Sequence, residues 1–102
     1  MASLVWTSPA KQDVDDIYDF IARRDRRPET AEKVVRELVL HCESYAEAFA
    51  AGNSIGTLRP SLGENVWVFT HKRWVIGFRP IQDGIEVLRV VDGARDFSRL
   101  FA

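Results

Sequence analysis

The first half of the chain carries its apolar residues at helical spacing, and the second half carries them at strand spacing. Leu4-Val5-Trp6-Thr7 is a short, β-prone apolar run and reads as a strand. Ser8-Pro9 follows as a helix start: a serine side chain can accept a bond from an orphan amide, and proline suits the first helical position. Ala10, Val14, Ile17, Tyr18 and Ile21 then recur on one helical face. Asp13, Asp15 and Asp16 lie toward the positive end of this helix, and Arg23 and Arg24 toward its negative end, as the helix dipole favours. Pro28 opens a second helix, whose stripe is Ala31, Val34, Val35, Leu38, Cys42, Tyr45 and Phe49. Glu29 and Lys33, and Glu32 and Arg36, are spaced to pair on its outer side. Gly52 is the expected cap, and two helices joined by so short a turn pack as an antiparallel hairpin.

Residues 53–65 are punctuated by glycine, proline and serine and read as a loop. Val66-Trp67-Val68-Phe69 resumes strand composition, His71-Lys72 can turn the chain, and Trp74 to Arg79 forms the next strand. Asp83-Gly84 signals a hairpin into the last strand, Ile85 to Val91. Asp92 to Ala102 reads as a turn and one short helix. The predicted order is β-α-α-β-β-β: a single α+β domain over residues 1–102, with an antiparallel meander packed against an N-terminal helical hairpin.

Composition narrows the function. The 102 residues are 46% hydrophobic and 28% charged, with a net charge of -1, which argues against a protein that grips nucleic acid over its whole surface. Residues 1–58 hold 7 bases and 10 acids, whereas residues 59–102 hold 7 bases and 5 acids, so the sheet half is mildly positive. Cys42 is the only cysteine, which excludes an intramolecular disulfide and suits a reducing cytoplasm. No apolar run is long enough for a membrane span, and Met1-Ala2-Ser3-Leu4 lacks the basic start of a signal peptide. No cofactor or metal is expected: Asp13, Asp15, Asp16 and Asp19 are explained by dipole preference and a solvated face, and His41 and Cys42 point in different directions from one helix.

Four stretches together resemble the RelE/ParE superfamily of type II toxins, and its ParE-like branch in particular. They are Val5-Trp6-Thr7 with Ala10, Asp13, Asp16, Ile17 and Tyr18; Gly52 with Leu58-Arg59-Pro60-Ser61-Leu62-Gly63; Trp74-Val75-Ile76-Gly77-Phe78-Arg79; and Ile85 to Val90 leading to Gly93-Ala94-Arg95-Asp96. The resemblance implies the RelE/ParE-like fold and the toxin half of a toxin–antitoxin pair. A cognate antitoxin would lie across the helical hairpin and along the sheet, in a hetero-oligomer. DNA gyrase is the target of the ParE-like branch, which inhibits by binding. RelE-like members instead cleave mRNA in the ribosome, using basic residues on the second and third strands and often a C-terminal tyrosine. Aligned on Trp74 and Phe78, those basic positions fall on Val66, Val68 and Val75, and no tyrosine follows Arg95. The likeness to gyrase-directed members is therefore the stronger. Asn65-Val66-Trp67 departs from the arginine that many ParE-like chains carry there, which leaves a non-toxic, antitoxin-binding relic as the other alternative beside a RelE-like nuclease.

Candidate target contacts are Arg59, Lys72, Arg73, Arg89 and Arg95. Were the chain a nuclease, Arg73, Arg89 and Arg95 would be its catalytic set. Each has a structural alternative. Arg95 can project from the turn after the last strand or pair with a carboxylate while Asp96 caps. Strict alternation places Val87, Arg89 and Val91 on one face and Glu86, Leu88 and Val90 on the other, so Arg89 emerges among aliphatics. Lys72 and Arg73 can contact a target or keep a hairpin edge soluble. Arg59 can pin its loop or reach a partner. His71 reads as a turn residue, since no serine, cysteine or carboxylate is spaced to work with it. Arg23-Arg24-Asp25-Arg26-Arg27 is the densest basic run; it can contact nucleic acid, but helix-end charge around a solvated turn is the default reading. No strong direct nucleic-acid binding and no membrane contact are expected.

Overall fold

The structure is a computed structural model that describes residues 2–93. The elements are β1 (Ser3–Trp6), α1 (Ser8–Asp25), α2 (Pro28–Ala50), β2 (Thr57–Leu58), a 3-10 turn (Pro60–Leu62), β3 (Trp67–His71), β4 (Trp74–Ile81) and β5 (Gly84–Asp92). The α+β reading holds, with one strand more than expected. Thr57 and Leu58, within the expected loop, pair with Val68 and Trp67 as an edge strand. Both residues are exposed, so no apolar alternation marked them. The sheet order is β1-β5-β4-β3-β2. β3, β4 and β5 form the meander, while β1 joins β5 in parallel.

Thr7, not Ser8, caps α1: its Oγ1 accepts the Ala10 N–H at 3.2 Å. The dipole reading holds at the far end, where Arg23 and Arg24 lie in the last turn, but no acid occupies the first. α2 ends as expected at Gly52, whose φ of +86° lets its N–H reach Phe49 O at 3.0 Å and the Asn53 N–H reach Ala48 O at 2.8 Å. The last hairpin turns at Gln82 and Asp83, and Gly84 is already the first residue of β5.

The two helices pack on one face of the sheet. Ala10, Ile17 and Ile21 of α1 and Ala31, Leu38, Cys42 and Ala46 of α2 share a core with Phe69, Ile76, Phe78, Ile85, Val87 and Val90. Phe78 is fully buried at its aromatic centre, with Phe49 at 5.5 Å and Tyr45 at 5.8 Å between ring centroids. Burial pushes the Cys42 thiol up to about 12, so it packs as a small apolar group.

The expected alternation along β5 is broken. Gly77 faces Arg89 and Phe78 faces Val87, which leaves Leu88 as a bulge. Val87 and Val90 therefore both join the helix-side core. Val91 joins a second cluster, made by Leu62, Val66, Val68, Val75 and Val91 with Leu88 against it. The expected C-terminal helix, with Arg95 and Asp96, lies outside the described residues.

Candidate functional site

The bulge in β5 fixes Arg89. β1 stops with Trp6 opposite Val87, and beyond that point β5 backbone groups turn to the start of α1. The Thr7 N–H donates to Val87 O at 3.1 Å, and Thr7 Oγ1 donates to Leu88 O at 2.8 Å. Two turns into the helix, Asp13 accepts the Val90 N–H at 2.9 Å and takes Arg89 in a fork, Nε to Oδ2 at 2.8 Å and Nη2 to Oδ1 at 2.9 Å. The side chains are only 12% and 25% exposed, respectively. The hydrogen bond to Asp13 raises the Arg89 pKa above its ordinary value. Asp13 is thus a partner for Arg89 rather than a dipole filler, and it came from a helix that sequence reasoning considered separately.

The β3–β4 turn gathers a second group. Lys72 takes a left-handed φ of 56° and donates from Nζ to Glu37 Oε2 on α2 at 3.0 Å. That bond is the main cause of a lowered Glu37 pKa. Arg73 pairs with Asp92 at the end of β5 and lies over the Trp74 ring, 5.1 Å from its centroid. Lys72 and Arg73 both keep more than half of their side chains exposed. His71 ends β3 with its ring 4.3 Å from that of His41 on α2, and its buried Nε2 has no hydrogen-bond partner among the described residues. Burial lowers the His71 pKa, and the neighbouring His41 and Lys72 lower it further. Each histidine read alone gave no signal of this pairing.

The Arg79 side chain and the Arg59 backbone hold the loop before β3. Arg79 Nε donates to Glu64 O at 3.1 Å, and the Arg59 backbone N–H donates to Val66 O at 2.8 Å. Trp67 Nε1 donates to Asn65 Oδ1 at 3.0 Å. Arg73 and Arg89, with their partners Asp92 and Asp13, line one open cleft together with Trp74 and Phe20, and Arg95 lies outside the described residues. The positions aligned with nuclease bases sit together in the second cluster: Val66, Val68 and Val75 are 2%, 8% and 7% exposed. Among the described residues no group of three His, Cys, Asp or Glu side chains is placed to hold a metal. No described helix is long and apolar enough to cross a membrane.

These groups sit on a helical hairpin packed against an antiparallel meander with a parallel first strand. The family model for the ParE toxin of type II toxin–antitoxin systems, parDE, matches residues 4–97, and the chain belongs to that family. Among solved structures, a chain of the chromosomal ParDE toxin–antitoxin system from P. aeruginosa is similar at 30% identity with a TM-score of 0.72, covering 90% of this chain and 96% of that one. No curated protein matches the sequence significantly.

Proposed function

We propose that the chain is a toxin that arrests replication in the cytoplasm by binding DNA gyrase, without cutting RNA, and that a cognate antitoxin neutralises it. One observation carries the choice of mode. Ribonucleolytic members of the superfamily need cations aimed at a phosphate whose charge grows during cleavage. Here the corresponding positions, Val66, Val68 and Val75, are aliphatic and packed together. A binding inhibitor needs no such constellation.

The Lys72–Arg73 turn is the described part of the candidate set best placed to touch a target, because both side chains stay more than half exposed even while paired with Glu37 and Asp92. Arg95 completes the candidates and is tested by substitution. For the antitoxin, β2 offers an open edge of the sheet, with its own Leu58 and the nearby Ile55 exposed. An extended segment added there would gain backbone bonds and cover apolar surface.

The test is induced expression with thymidine and methionine incorporation followed in parallel, then a gyrase supercoiling assay with purified protein. Thymidine incorporation falling first and inhibited supercoiling are expected, with both relieved by Arg95→Ala or by a Lys72→Ala/Arg73→Ala pair. Methionine incorporation falling first, with cuts in ribosome-bound mRNA, would overturn the reading.

A further inference from the structure

The turn between α1 and α2 carries a surface that neither the fold nor the proposed target contact uses. Arg23, Arg24, Arg26 and Arg27 fall within five residues, with Asp25 as the only acid, and all four are exposed. Arg24 pairs with Asp25 at 3.1 Å, while Arg23 reaches Asp19 only at 4.0 Å. Among the described residues neither Arg26 nor Arg27 has an ion-pair partner within 4.0 Å.

The negative end of α1 favours a cation at Arg26, but neither its backbone conformation nor the cap position of Arg27 favours arginine. Arg26 adopts a left-handed conformation, φ 52° and ψ 30°, which favours glycine or asparagine. Arg27 is the N-cap of α2, extended at φ -134° and ψ 96°, with no side-chain cap bond. Serine, threonine, aspartate and asparagine are preferred there. Arg27 also stands at the positive end of a 23-residue helix, where a cation is disfavoured. Two successive positions that break local rules in the same direction, toward exposed positive charge, point to use outside the fold.

We infer that this turn docks on the phosphate backbone of duplex DNA. Arg23 and Arg24 line an open hollow shared with Asp16 and Asp19, whose charge disfavours a small free anion, while Arg26 and Arg27 stand outside it on the tip. The turn fits a target that presents separate phosphates on either side of a groove, each taken by a guanidinium. Exposed Phe20 lies under Arg24, 5.5 Å from its Cζ, and steadies that arginine. Asp19, Glu29 and Glu32 flank the tip along the two helices and confine contact to its end. A contact of this size neutralises only a few phosphates, which accords with a chain whose net charge is -1.

The experiment is fluorescence anisotropy of the full chain with a labelled duplex of about 20 base pairs, titrated from about 50 to 200 mM KCl. Wild type should show a log–log salt slope of about -2 to -3, near -0.9 per phosphate. Arg26→Asn/Arg27→Ser suits both backbone positions, so its thermal midpoint should equal or exceed that of wild type. Its affinity should fall about tenfold or more, and its slope should shrink by about 2. Arg23→Ala/Arg24→Ala leaves the two turn positions untouched and should weaken binding several-fold. Arg36→Gln, an exposed arginine elsewhere on α2, should change nothing. Wild-type binding by both turn variants, an equal loss in Arg36→Gln, or salt-insensitive binding would each overturn the inference. So would displacement by an oligoglutamate as efficient per charge as by duplex, which would assign the tip to an acidic protein segment.

Discussion

Asp13 and Arg89, on the second turn of the first helix and beyond the bulge of the last strand, are joined by a forked ion pair of 2.8 and 2.9 Å. The same carboxylate holds the Val90 N–H, so removing it strands a part-buried cation and a backbone donor together. Asp13→Ala should therefore cost about 2 kcal/mol or more, because uncompensated buried partners dominate such losses. For a domain of this size that is a fall in thermal midpoint of about 10 °C. Arg89→Lys keeps the charge but loses the fork and should cost less than Asp13→Ala. Denaturant melts of the two variants check the order. A loss of toxicity that tracks the folded fraction would mark Arg89 as a brace, whereas a loss in fully folded Arg89→Lys would mark it as a target contact.

Thr7 and Ser8 separate a sequence signal from the bond that forms. Thr7 Oγ1 both accepts from Ala10 N and donates to Leu88 O. Thr7→Ala should cost about 1–2 kcal/mol through the lost cap and the stranded carbonyl. Ser8→Ala should stay within about 0.5 kcal/mol, as an exposed substitution that touches neither bond. Equal losses in urea melts would contradict the assignment of the cap.

At Gly84 the β1 backbone occupies the space a side chain would take. A Cβ there would stand 1.7 Å from Ser3 O and 2.7 Å from Ser3 C, both backbone atoms that cannot swing away. The Ser3 N–H meanwhile donates to Asp83 O at 2.8 Å, which holds the approach in place. Gly84→Ala should lift β1 from the sheet and cost more than about 2 kcal/mol, in the range of strained or overpacked sites. Amide exchange should accelerate first at Val5 and Trp6 and leave β3 and β4 protected. Uniform loss of protection would show instead that β1 is inseparable from the core.

What could be read from the chain depended on periodicity. The stripe Ala10-Ile17-Ile21 and the stripe Ala31-Leu38-Cys42 are both buried as spaced, and the meander follows from three apolar runs with short turns. β2 was illegible because a two-residue strand with both side chains exposed has no period. The bulge at Leu88 was illegible because it is a property of register between strands: one unpaired residue moved Val90 to the helix side and overturned the alternation assumed for β5. Arg89 could be singled out as a base among aliphatics, but its partner lies 76 residues earlier on another element. The cation candidates were visible one at a time; how they divide among separate ion pairs is set by tertiary approach.

His71 gives the fold a pH dependence whose sign can be worked out. Its side chain is 9% exposed, its Nε2 is unpartnered among the described residues, and His41 lies against it. Burial first, then His41 and Lys72, hold its folded pKa below the ordinary 6.5, with Glu37 opposing them. The unfolded chain therefore takes up a proton at a higher pH than the folded chain, and between the two values it binds more protons. Stability is fully present above about 6.5 and declines as the pH falls from there through the folded value. Glu37, whose own pKa is lowered from 4.5, adds a separate loss that begins only in the carboxylate range. Thermal midpoints between about pH 7.5 and 5.5 should thus fall for wild type. His71→Phe, which fills the same space without titrating, should flatten the curve. His41→Ala should flatten it partly, by removing one of the neighbours that disfavour the charged ring. A His71→Phe curve parallel to that of wild type would place the titrating group elsewhere.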